Sequence, residues 1–302
     1  MRALRLTVIA PEGLWETLKS GLGRLYPDLQ LVPLPSRSSL GKDPYGVGPL
    51  LLRLPRPDAA ILVAPVSRSP ARLVPAPVLN GVPVGIVHAS TSEQLKPWLA
   101  AVSSSRDAKG NHTWASLAMW KSLYLIWGEH FAEWMQAGAE GTNIKVQKWF
   151  ADEVSRDDLC QKLAEGPRLA VYLGHGRARG WSGYQGMRWE HVAACNLKRP
   201  CGTLVSISCS TLKWKIGEPS FGARWVSEGR ACCYVGSVGS VSHKANAAMA
   251  EVLGTALASC HPQTVGELLA TVSDRLHQSS NPLLAQQAWA AYRIMGNPLQ
   301  PI

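Results

Sequence analysis

The most constraining feature of this chain is an alternation. Short apolar runs of strand length are separated by amphipathic runs of helix length, from one end of the sequence to the other. Strand runs occur at residues 4–9, 29–34, 59–64, 82–88, 143–150, 168–173, 202–208 and 231–236. The segments between them read as helices at 14–25, 92–102, 156–164, 189–195 and 221–228. Such a chain can bury its strands only in a mostly parallel sheet with helices on both faces, an α/β fold. At 302 residues, with 46% hydrophobic and 17% charged residues, it has the material for a large core and is not a disordered chain.

The alternation breaks in three places. Residues 35–57 carry five prolines and read as a loop. Residues 103–112 are polar and aperiodic; they suggest a boundary between an N-terminal α/β subdomain (1–110) and a second subdomain (111–302), and both stretches are candidates for self-cleavage. Residues 112–140 fit either one long helix or a strand at 122–127 flanked by helices. The second reading is favoured because 143–150 looks like a following strand. The tail reads as helices at 244–259, 264–278 and 283–293.

Lysines and arginines exceed acids by 10, which favours acidic partners. No basic run is interleaved with aromatics, so direct nucleic-acid binding is not expected. The first residues read as a strand rather than a leader, and no run is long enough to span a membrane, so a cytoplasmic protein without membrane insertion is expected. Seven cysteines, an odd number with no CxxC pair, argue against a disulfide framework and for a reduced compartment. Adjacent Cys232 and Cys233 should point to opposite faces of a strand.

Two strand ends carry chemistry. RLAVYLGHG places His175 between two glycines just past one strand; GTLVSISCST places Cys209 just past another. Ligands of open parallel sheets sit at the carboxyl ends of strands, and consecutive strands tend to be neighbours, so His175 and Cys209 are expected to face each other. An imidazole beside a thiol can take its proton, and the N–H groups of Gly176 and Cys209 could hold an oxyanion. The rival reading of Cys209 is a buried small hydrophobe. GHGRARG also has the glycine spacing of a dinucleotide loop, but no helix opens there and position 196 is Asn rather than an acid. VGSVGSV misses GxSxG because position 235 is Val. No metal-ligand spacing occurs.

These motifs resemble the His and Cys motifs of caspase-like cysteine peptidases, and most closely the gingipain-like family. The likeness continues in GIVHASTSEQLKPWLAAV, RWVSEGRACCYVGSVGSV, TVGELLATV and the closing YRIMGNPLQPI, where Asn297 stands at the family's usual acid. The resemblance implies a caspase-like three-layer sandwich with a mostly parallel central sheet. It also implies a cofactor-free endopeptidase with Cys209 as nucleophile, His175 as general acid/base, and Gly176 and Cys209 as oxyanion donors. A protein substrate and an activating partner protein would follow, as would an effector role in defence or cell death. Substrate-binding candidates are Arg177, Arg179, Lys213 and Lys215, which would favour acidic segments, with Trp214 and Ser240 as pocket walls. Glu129, the acid after the expected 122–127 strand, would instead favour a basic residue. His243 is a weaker candidate. A non-catalytic caspase-like binding module is the alternative.

Overall fold

The computed structural model describes residues 3–34, 47–107, 112–215 and 218–302. The N-terminal part contains β1 (Leu6–Ala10), α1 (Trp15–Leu22), β2 (Gln30–Pro33), α2 (Val47–Arg53), β3 (Ala59–Ala64), α3 (Pro70–Leu73), β4 (Val78–Leu79), β5 (Val82–His88) and α4 (Ser92–Asp107). Next come β6 (Thr113–Ala118), α5 (Ser122–Ala139), β7 (Lys145–Phe150), α6 (Arg156–Ala164), β8 (Leu169–Leu173) and a small hairpin of β9 (Gly176–Arg177) and β10 (Gly180–Trp181). The rest comprises α7 (Trp189–Ala194), β11 (Cys201–Ile207), α8 (Phe221–Ser227), β12 (Ala231–Ser237), α9 (His243–Cys260), α10 (Val265–Arg275), α11 (Pro282–Ala291) and β13 (Tyr292–Gly296).

Among the described residues one eleven-stranded sheet runs in the order β2-β1-β3-β5-β13-β12-β11-β8-β6-β7, with β4 paired to β5. All its pairings are parallel except β12 with β13 and β4 with β5. The sheet crosses the region of residue 110 without interruption, because β13 lies between β5 and β12. Alternate strand residues enter two cores. Tyr172, Leu204 and Cys232 join α1, α4, α6, α7 and α8 on one face; Val171, Val205 and Cys233 join α5, α9, α10 and α11 on the other. This is the three-layer sandwich that the resemblance implies.

The structure corrects the reading of residues 112–140. The strand is β6, and 122–127 opens the helix α5. β6 is enclosed between β7 and β8, and burial on both faces hid the period-2 signal that marks a half-exposed strand. Gly128 lets α5 lie against β6 and β7, since a Cβ there would press on Ala118 and Phe150. Helix α4 continues through Asp107 into the expected boundary, tied by Gln300 Nε2 donating to Ser105 Oγ at 2.7 Å. Residues 108–111 and 35–46 lie outside the described residues, but 47–53 form a helix where a loop was expected. The last helix ends at Ala291, and Arg293 belongs to β13. Asn297 is buried; its Nδ2 donates to Tyr26 O–H at 2.8 Å and its Oδ1 accepts from Leu299 N, so it holds the closing turn.

The cysteine reading is also corrected. Cys160 on α6 and Cys195 at the end of α7 form a disulfide, and Cys260 is exposed. A pair 35 residues apart on two separate helices has no signature in spacing. Among the described residues no helix is long and apolar enough to cross a membrane, and no cluster of His, Cys, Asp and Glu could hold a metal ion.

Candidate active site

The carboxyl ends of β8 and β11 meet as neighbours. Ile207 and Leu173 are in register, and Gly174 N donates to the Ile207 carbonyl at 3.4 Å. The chain then turns through Gly174, His175 and Gly176 into the β9–β10 hairpin. Tyr172 holds this turn: its hydroxyl donates to the His175 carbonyl at 3.0 Å and accepts from Gly183 N, while its ring stacks on Trp181 at 4.6 Å. Both glycines are required by space. A Cβ at Gly174 would overlap the Tyr172 hydroxyl and Met119, and one at Gly176 would overlap Ser208 Oγ and the Cys209 carbonyl. The His175 turn is therefore packed directly against the backbone of Cys209.

Cys209 is half-buried. Its Sγ donates to the Val241 carbonyl at 3.0 Å and accepts from Val241 N at 3.4 Å, which ties it to the loop between β12 and α9. The next residue, Ser210, is left-handed (φ 58°) and donates its N–H to Gly239 O. Tyr292, which interacts electrostatically with Cys209, is buried and donates to Asn246 Oδ1 at 2.9 Å.

His175 stands exposed, with Nδ1 3.3 Å from the hydroxyl of Tyr124 and the two rings edge to face at 5.2 Å. Partial burial lowers the imidazole below its ordinary value, and the charges of Lys121, Arg177 and His243 act in the same direction. Burial raises the Tyr124 phenol, and negative charge at Cys209 raises it further, so Tyr124 is neutral at physiological pH and lies within the field of both His175 and Cys209. Tyr124 escaped the sequence reading because its segment was expected to be a strand. Once 122–139 is a helix, its buried face through Tyr124, Gly128 and Phe131 is legible at helical spacing.

The remaining candidates divide. Arg177 lies on β9 beside His175, and exposed Ser240 precedes Val241 in the loop that grips Cys209. Arg179, Lys213 and Lys215 are exposed and line a separate cleft of about 270 Å³ with Trp189, Glu190 and Arg224; Lys215 is paired with Glu218 at 3.1 Å. Trp214 is anchored elsewhere, its Nε1 donating to Val66 O at 3.2 Å. Glu129 is in the interior of α5, not in a strand–helix loop, and is ion-paired with Lys148 on β7.

The facing strand ends, the free thiol and the three-layer sheet are those of a caspase-like cysteine peptidase. The chain belongs to peptidase family C25, whose model matches residues 81–301, and it is a cysteine endopeptidase. Its fold is similar to RgpB of Porphyromonas gingivalis, solved as a complex of pro- and mature domains (TM-score 0.73, 13% identity, 99% of this chain and 79% of that one). It is equally similar to a structure described as the Arg specific cysteine proteinase gingipain R (TM-score 0.73, 12% identity, 99% and 78%). A separase–securin complex of Saccharomyces cerevisiae matches less fully (TM-score 0.54, 18% identity, 80% of this chain and 15% of that one). No protein among the curated sequences compared matches it.

Proposed function

We propose that this endopeptidase cuts its protein substrate with Cys209 and His175 as a catalytic dyad. The observation that carries the assignment is the packing of Gly176 on the Cys209 backbone, which holds the two strand ends together. In the first step the Cys209 proton passes to His175, and the thiolate forms a C–S bond to the scissile carbonyl. The carbonyl oxygen becomes an oxyanion facing the N–H groups of Gly176 and Cys209. The C–N bond then breaks as His175 returns the proton to the leaving amine. Water, deprotonated by His175, hydrolyses the thioester and frees the thiol. The Tyr124 hydroxyl at Nδ1 fixes the ring and leaves Nε2 as the proton-exchanging atom. No step calls for a cofactor.

The finer reading is an effector that cuts one partner protein in a defence or cell-death response, switched on by another protein; it rests on analogy with caspase-like enzymes. Within it, Arg177 beside His175 favours an acidic substrate segment. Glu129, neutralised by Lys148, gives no support to a basic one.

The test compares wild type with Cys209→Ala on a mixed peptide library and on a cell extract. Cleavage should disappear in the variant while the thermal unfolding curve is retained. Equal cleavage by the two proteins would remove Cys209 from the chemistry.

A further inference from the structure

Among the described residues, five large hydrophobic side chains stand well exposed: Leu52, Trp120, Leu123, Ile126 and Leu283. Three of these fall within seven residues, at the junction of β6 and α5. Trp120 is 56%, Leu123 44% and Ile126 54% exposed. The same segment walls the His175 side of the site. Met119 N donates to Leu173 O, Gly174 abuts Met119, Lys121 lowers the His175 imidazole, and Tyr124 touches its ring.

Helical spacing makes the surface continuous. At about 100° per residue, Ile126, Leu123, Trp127 and Tyr124 follow one another around α5. Trp127 packs edge to face on Tyr124 at 5.2 Å, and Tyr124 does the same on His175. An apolar belt thus leads from the imidazole to the outer surface. The helix that carries it is anchored by Phe131 and Met135, which are buried in the core on the Tyr124 side of α5.

We propose that Trp120, Leu123 and Ile126 form the docking surface for a large apolar side chain of the substrate, within a few residues of the scissile bond. The inference rests on the Cys209–His175 reading and adds the substrate class to it. Two arguments select a substrate side chain over a second copy of the chain. The belt is continuous with the proposed dyad. It also exposes on the order of 300 Å² of apolar surface, well under the roughly 800 Å² per partner of a stable protein interface. Selection then comes from an apolar neighbour of the cut as well as from the charges around His175.

The experiment uses the full chain, a peptide library randomised around the scissile bond, and the triple variant Trp120→Gln, Leu123→Gln, Ile126→Gln. Wild type should enrich Leu, Ile, Phe or Trp at one position near the cut. The variant should lose that enrichment, with kcat/KM falling at least about 10-fold, while iodoacetamide alkylates Cys209 at the wild-type rate and the unfolding temperature holds. An unchanged cleavage profile in the variant, with cleavage still dependent on Cys209, overturns the docking surface alone. Absence of any Cys209-dependent cleavage overturns the underlying reading and this one with it. A concentration-dependent dimer of wild type that the variant cannot form would assign the belt to a second copy and also overturn the proposal.

Discussion

Two histidines close parallel strands of the same sheet, and their surroundings have made them opposites. His88 ends β5 and His175 follows β8. His88 is 7% exposed, and burial lowers its imidazole to about 4. His175 is exposed, its Nδ1 met by the Tyr124 hydroxyl. Topology puts both at the edge where parallel sheets do chemistry. Of the two, only His175 lies on a turn packed against the backbone of a free cysteine and has a hydroxyl at its Nδ1. A strand-end histidine is therefore a candidate, and its neighbours decide whether it works or packs.

The sharpest way to break this contrast is to remove each ring. His175→Ala should lower kcat/KM about 10²- to 10⁴-fold, whereas His88→Gln should leave turnover of the folded protein within about twofold. Comparable losses in both, measured on one peptide, would erase the distinction.

The second contrast is in stability. The folded state holds His88 neutral down to about 4, while the unfolded chain takes up a proton near 6.5. His88 thus adds no penalty above the unfolded value, and stability falls as the pH drops from about 6.5 towards 4. The loss from this group is about 3 kcal/mol. Urea titrations of wild type and His88→Gln across that window should show a flatter decline in the variant; parallel declines would contradict the assignment.

A smaller effect is expected at the hydroxyl that distinguishes His175. Tyr124→Phe keeps the ring contact and removes the Nδ1 partner, so kcat should fall roughly 5- to 10-fold with KM little changed. An unaltered kcat and pH profile would reduce Tyr124 to packing. The smallest effect is electrostatic. Lys121 lowers the His175 imidazole, so Lys121→Ala should move the limb of the pH–rate profile governed by His175 towards higher pH, and added salt should shrink the difference between the two proteins. A limb displaced to lower pH would mean that the charge acts elsewhere.

Much of this is legible in the sequence. The strand-like runs ending at His175 and Cys209 were visible, and so were the glycines whose absence of a side chain lets the two turns touch. What escaped had physical causes. β6 is buried on both faces, so its apolar run carried no strand period, and with it the helical register of Leu123 and Tyr124 was lost. Glu129 reads as a site residue only if a strand–helix loop adjoins it, and it lies inside α5 paired with Lys148. The Cys160–Cys195 pair joins helices whose approach no local pattern encodes.

The sequence by itself determined the layered α/β class and the placement of His175 and Cys209 just past two strands, because burial period and strand-end placement are local properties of the chain. The tertiary structure alone decided which strand-end histidine stays exposed, which tyrosine meets it, and which apolar side chains are left on the rim. Those outcomes depend on the order in which strands enter the sheet, and that order is a matter of long-range packing.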